Sequence, residues 1–189
     1  GLPYILENFP VNSFWFSTTG THHIAQLIEI ARTNNIITRS FKPGWTPVGA
    51  DETLNIYVPD NHSTRLNDHS LVLYARHDRD GLLMTGDLEE TGIRELANNT
   101  SPGPVTLLKL PHHGSRKSAP TPLLHKYKPT HAFSSVGYRN RYGLPHETVT
   151  TTLEETSVLL HRTDRDGTIS LSSKGTGWSI THWKKGLFR

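Results

Sequence analysis

At 189 residues and 34% apolar content, the chain is long enough to bury a core of its own without disulfide or metal staples. Cysteine is absent. That excludes thiolate catalysis and Cys-based zinc sites, so a borderline metal would have to rest on imidazole and carboxylate.

Leu2–Phe9 reads as a short helix and Val11–Ser17 as a strand. An amphipathic helix follows over Thr21–Asn34, capped by Thr21, with Ile24, Leu27, Ile28 and Ala31 on one face. Strands at Ile36–Phe41 and Thr53–Val58 are joined by the Pro- and Gly-rich Lys42–Ala50. His69–Arg76 and Leu82–Thr85 form a hairpin around Asp78-Arg79-Asp80-Gly81, whose Asp-Gly pair supplies the positive φ. A helix over Leu88–Asn98 starts directly after Asp87. Val105–Leu110 is too apolar for a half-exposed position and reads as a buried central strand. Pro122–Tyr127 is helical, Ala132–Val136 a strand and Glu147–Thr156 a helix; Val158–His161, Thr168–Ser172 and Trp178–Thr181 finish as strands. The second Asp-Arg-Asp-Gly, 164–167, reads as another hairpin turn. Helices mixed with buried strands imply a sheet covered on at least one face. No repeat or domain boundary shows across 1–189, and no window approaches the ~18 apolar residues of a membrane helix. No secretory leader opens the sequence, and the start at Gly1 reads as a cut.

Charge placement says more than the net +3. Between Glu95 and Glu147 there is no acid, while Lys109, Arg116, Lys117, Lys126, Lys128, Arg139 and Arg141 and five His fall in that stretch. After Asp166 the only charges are basic. An acid-free basic region is the footprint of a polyanion-binding face; the plainer reading is a solvated basic surface.

Three motifs bear chemistry. Leu82-Leu83-Met84-Thr85-Gly86-Asp87 is an apolar strand ending in an Asp that either caps the next helix or aims a hard oxygen into a cleft. Leu107–Ser115 runs a buried strand into His112-His113-Gly114, where one imidazole can ligate while the other orients a neighbour. Asn140-Arg141-Tyr142-Gly143-Leu144-Pro145-His146 is either an ordinary turn or a phosphate site made by Arg141, His146 and a helix start. No phosphate-binding glycine motif, serine elbow or calcium loop is present. His22-His23 reads as an exposed helix start, His69 as a weak neighbour of Asp87, and Trp45, Trp178 and Trp183 as packing residues or base-stacking platforms.

In this order the motifs resemble the C-terminal metallo-β-lactamase-like domain of ComEC-type competence proteins, the inner-membrane channels for transforming DNA. Asn67, Ser70-Leu71-Val72-Leu73, Thr163–Ile169 and the opening GLPYILENFPVNSFWF match as well, so the resemblance covers essentially the whole chain. It implies an αββα sandwich whose N-terminal strands, with the metal motif HxDxDHxGG, would precede Gly1. Leu144 stands where the family usually has His, so this loop offers one imidazole, His146. The implied chemistry is metal-assisted phosphodiester hydrolysis of the non-transported strand, with Zn or Mn, as one ion or two. In that scheme Asp87, His112 and His113 supply ligands and His146 is a proton donor or lies one step out from the metal. Lys117, Arg139 and Arg141 hold the DNA backbone. With part of the ligand set upstream, the metal site here is expected to be incomplete or empty, and cleavage by the fragment slight. The implied partners are single-stranded DNA, bound without sequence preference, and the transmembrane channel portion of the same protein. The domain itself is expected to be soluble and extracytoplasmic. A non-catalytic DNA guide and another hydrolase of the superfamily stand beside the nuclease reading.

Overall fold

The middle of the apolar segment at 105–110, Leu107–Lys109, sits where its composition demands, inside a sheet. The computed structural model describes residues 1–19, 24–49, 53–60 and 63–183. Its elements in chain order are α1 (Leu2–Asn8), β1 (Ser13–Ser17), α2 (Ala25–Thr33), β2 (Ile37–Phe41), β3 (Gly44–Val48), β4 (Leu54–Val58), β5 (Val72–His77) and β6 (Asp80–Met84). There follow α3 (Glu90–Asn98), β7 (Leu107–Lys109), α4 (Thr121–Tyr127), β8 (His131–Ser134), α5 (Glu147–Glu155), β9 (Leu159–Arg162), α6 (Thr163–Asp166), β10 (Thr168–Ser173) and β11 (Trp178–Trp183).

Strands β3 to β9 form one seven-stranded sheet in sequence order. It is antiparallel from β3 to β6 and parallel from β6 to β9. Register places Tyr74, Leu83, Leu108, Ala132 and Leu160 in one row across five strands. That row packs under Ile93 and Leu96 of α3, Leu123 and Leu124 of α4, and Val149 and Leu153 of α5. Each fully buried Leu in such a layer contributes about 1.5–3 kcal/mol. On the opposite face, Trp15 of β1 and Phe41 of β2 pack against Ile56, Val58 and Leu73. The other side of the β1–β2 pair meets α1 and α2 through Phe14, Leu6, Leu27 and Ala31. The result is a mixed α/β sandwich in four layers, helix, sheet, sheet, helix. No described helix is long and apolar enough to cross a membrane.

Several sequence readings change. Lys42–Ala50 is not a plain connection, because β3 runs through Gly44–Val48; Pro47 is tolerated there since β3 lies at the sheet edge. The first hairpin turns at Asp78-Arg79, with Asp78 at φ 50°, while Asp80 and Gly81 belong to β6. Gly81 is needed there for a different reason, since a Cβ would run into the Pro104 carbonyl. Residues 164–167 are no hairpin turn: α6 links β9 to β10, which lie in different sheets. The β10–β11 hairpin instead docks on the start of β6, where Ser173 Oγ and the Gly175 N–H donate to Asp80 Oδ2 at 2.6 and 3.1 Å. Trp178 Nε1 adds a bond to Thr106 Oγ1 at 2.9 Å. Trp45 packs on Tyr57 and Tyr74, ring centroids 5.0 and 6.2 Å away, and is no free platform for a base. The cap expected at Thr21 and the pair His22-His23 lie outside the described residues.

Asp87 is not a helix cap. Helix α3 begins three residues later, and the N–H groups of Glu89, just before it, and of Gly92 donate to Asp68 Oδ1 at 3.1 and 3.0 Å. Asp68 is fully buried and arrives from a 3-10 turn over Leu66–His69. Asp68→Ala is therefore expected to lower stability by about 1–3 kcal/mol, through a lost cap and two stranded N–H groups. Asp87→Ala should stay within about 0.5 kcal/mol. Urea unfolding of the two variants separates these outcomes.

Candidate metal and nucleic-acid site

Parallel pairing of Leu82–Met84 with Leu107–Lys109 starts two loops side by side at the C-terminal ends of β6 and β7. The loops are stitched together. The His112 N–H donates to the Gly86 carbonyl at 3.2 Å, and the buried Thr85 hydroxyl to the Lys109 carbonyl at 3.1 Å. His112, His113 and Gly114 then take φ values of 44°, 58° and 81° in succession. Left-handed backbone costs a non-Gly residue roughly 1–2 kcal/mol. Here it splays the two imidazoles, whose rings lie 6.5 Å apart at 64°.

His113 goes to Asp87. Its Nδ1 lies 2.7 Å from the Ser135 carbonyl, which can only accept, so Nδ1 carries a proton and, in the neutral ring, Nε2 keeps a lone pair. Nε2 lies 3.6 Å from Asp87 Oδ1. Two electron-rich atoms at that separation are relieved by a shared cation. With bonds of about 2.1 Å, they would subtend roughly 120° at an ion, close to tetrahedral. A backbone carbonyl on the far nitrogen is also how metal-binding imidazoles are commonly oriented. Asp87 and His113 thus fit two ligand positions of a divalent ion. Among the described residues, no further His, Asp or Glu joins them in a set of three within 4.8 Å.

His112 turns the other way. Its buried Nδ1 lies 3.4 Å from Glu89 Oε1, without hydrogen-bond geometry. Glu89 also accepts from Asn67 Nδ2 and Arg65 Nη1, each at 3.2 Å. The expected trio of Asp87, His112 and His113 therefore divides into two pairs.

The third motif packs on the second. The His146 N–H donates to the Gly114 carbonyl at 2.9 Å, and a side chain at 114 would collide with Pro145. The His146 ring caps α5, its Nδ1 accepting the Thr148 N–H at 3.2 Å. Arg139 and Arg141 are exposed on the same loop, 5.2 and 4.8 Å from the rings of Tyr138 and Tyr142. Lys117 is not on that loop. It lines a surface depression of about 460 Å³ with Arg65, Arg94, Arg116 and Glu90.

No known protein-family model matches the chain. It is 30% identical over 150 residues to ComE operon protein 3 of Bacillus subtilis (strain 168), covering 79% of this chain and 19% of that protein. It is 34% identical over 95 residues to Recombination protein 2 of Haemophilus influenzae, covering 50% of this chain and 12% of that protein. It is 28% identical over 116 residues to Uncharacterized protein YcaI of Escherichia coli (strain K12), covering 61% of this chain and 15% of that protein. The chain is a relative of ComE operon protein 3 and of Recombination protein 2. It spans about a fifth or less of the length of each of these relatives.

Four residues that motif reading passed over belong to this site. Glu89 was hidden by its role in the helix start, and Tyr138 and Tyr142 by attention to the arginines between them. Lys109 read as strand. Its ammonium donates to the carbonyls of Gly86 and Leu110 at 3.2 and 3.3 Å, and burial lowers its pKa while Asp87 partly restores it. A lysine whose folded pKa is lowered destabilises the fold while it is charged. That cost is relieved as pH rises from the folded pKa toward the unfolded value near 10.4. Lys109→Met is accordingly expected to raise stability at pH 7, with the advantage shrinking as pH rises toward about 10.4. Urea unfolding of both proteins across that range checks the sign.

Proposed function

We propose that the chain is the metallo-β-lactamase-like hydrolase domain of a DNA-uptake channel, a metal-dependent phosphodiesterase acting on the non-transported strand. The observation that carries the reading is the Asp87–His113 pair, 3.6 Å apart at adjacent strand ends, with the His113 lone pair already oriented. The four-layer sandwich supports it, and so does the relationship to ComE operon protein 3, which reads as a competence protein. In this reading the protein sits in the bacterial inner membrane with this domain outside the cytoplasm.

Asp87 and His113 would hold Zn²⁺ or Mn²⁺, and His112, paired with Glu89, would position the loop. A bound ion, or two, would supply an activated water and offset charge on the attacked phosphate. The chain's own residues do the rest. Lys109 keeps a half-desolvated ammonium beside Asp87, where an incoming phosphate adds negative charge. With Nδ1 accepting from the Thr148 N–H, the His146 ring has its Nε2 N–H left to donate a hydrogen bond to a phosphate oxygen. Arg139, Arg141 and Lys117 hold the sugar-phosphate chain. A non-catalytic guide for single-stranded DNA is the second reading, favoured by the two exposed Arg–Tyr pairs, which stack bases without any metal.

Asp87→Ala or His113→Ala, made in the intact protein that carries this chain, is expected to lower Mn²⁺-dependent cleavage of single-stranded DNA. The loss should exceed ~100-fold, beyond the 10–100-fold usual for groups one step out from a metal. Unchanged cleavage in both variants removes the nuclease reading and leaves the guide.

Binding is a separate measurement. Changing Lys117, Arg139 and Arg141 together to Ala should weaken single-stranded DNA binding of any sequence. It should also cut the slope of log affinity against log[salt] by about 2, at ~0.7 per phosphate contact. Equal anisotropy curves before and after would move the DNA face elsewhere.

A further inference from the structure

We infer that a second metal site, separate from the Asp87–His113 pair, lies at the far edge of the seven-stranded sheet, where His161, Asp166 and His182 take a borderline divalent ion of the Zn²⁺ class. The three side chains come from β9, α6 and β11, and one ligand atom of each lies within 4.8 Å of the others. Among the described residues, no other group of three His, Asp or Glu is gathered this way.

His161 Nδ1 and His182 Nε2 are 2.9 Å apart. For bonds of about 2.05 Å, that separation corresponds to roughly 90° at an ion. The outer support is in place too. His161 Nε2 lies 3.1 Å from Nδ1 of His131 on β8, so a ring ligated through Nδ1 would donate its remaining N–H to His131. Asp166 is anchored by the Arg162 N–H, which donates to Oδ2 at 2.7 Å. The Arg162 guanidinium does not neutralise it, because both of its arms reach Asp164, at 3.0 and 2.7 Å. Burial, and then the imidazoles of His131 and His182, lower the pKa of His161, while Asp166 acts the other way.

Two imidazoles and one carboxylate favour Zn²⁺, Co²⁺ or Ni²⁺ over Mg²⁺ and Ca²⁺, and three protein ligands leave one position of a tetrahedron open. An ion here would fasten the β10–β11 hairpin to edge strand β9. The hairpin's other described anchors include His77, Arg79, Asp80 and Thr106, which lie on β5, β6 or the segments next to β6 and β7.

The test uses Asp87→Ala/His113→Ala protein, so that the first pair cannot contribute, titrated with Co²⁺. Uptake of one equivalent with the visible absorption of tetrahedral Co²⁺, displaced by Zn²⁺, is expected. Zn²⁺ at 100 times its Kd should raise Tm by about 5–10 °C. Adding His182→Ala, at an exposed position, should weaken Co²⁺ binding more than ~10-fold. In the unsubstituted protein, Co²⁺ should broaden the amide NMR signals of 159–168 and 178–183. The inference is overturned by absence of Co²⁺ uptake, by equal affinity after His182→Ala, or by broadening that spares those two segments; His131, His161 and His182 are then an ordinary chain of hydrogen-bonded imidazoles.

Discussion

Parallel hydrogen bonding between Leu82–Met84 and Leu107–Lys109 is the constraint on which the site depends. Side-by-side parallel strands must leave the sheet at the same end, so the loops carrying Asp87 and His113 begin as neighbours although twenty-six residues separate those two side chains in the chain. The strands hold that register because Leu83 and Leu108 are fully buried under α3 to α5. A shift of one residue would turn both leucines out of the helix layer and bring Lys109 into it.

The cost of that arrangement is concentrated in the loop after β7. Two consecutive histidines in left-handed backbone are unfavourable, and the loop holds them there by several bonds at once. Gly86 accepts from the His112 N–H, Ser134 Oγ donates to the His113 carbonyl at 2.8 Å, and Pro145 fills the space over Gly114. Strain maintained by surrounding contacts, at the place where two candidate ligands diverge, is the kind of feature that accompanies a working site. The same loop explains why adjacent histidines have different partners. One ring is aimed at Asp87 on the exposed rim, the other at the buried Glu89.

Charge follows the same geography. The acid-free stretch from Leu96 to His146 contains β7, α4, β8 and the two loops beyond Lys109 and Ser134. Its basic side chains therefore divide between the strand ends, the loop at 135–146 and the depression that Arg116 and Lys117 line with Arg65, the partner of Glu89. Glu89, by contrast, is enclosed by Arg65, Asn67 and His112, which leaves Asp87 as the carboxylate paired with His113 at the strand ends.

Local patterns were legible in the sequence wherever short-range chemistry decides the outcome. The apolar run at 105–110 had to be an inner strand, because exposing it would forfeit its burial energy. The helices at 88–98 and 147–156 follow from apolar spacing, and the strand-end positions of Asp87 and His113 follow from apolar runs that stop before them. Partnership was not legible. Asp87 sits next to a helix start and looks like its cap, yet the cap is Asp68, nineteen residues earlier, because the 3-10 turn at Leu66–His69 packs against that helix end. His161, Asp166 and His182 carry no motif, since their proximity arises only when β11 folds back over the edge strand. Sequence fixes which groups can hydrogen-bond, ligate or hide from water within a few residues of chain; which distant groups they meet is settled by sheet register and layer packing, and those are properties of the whole fold.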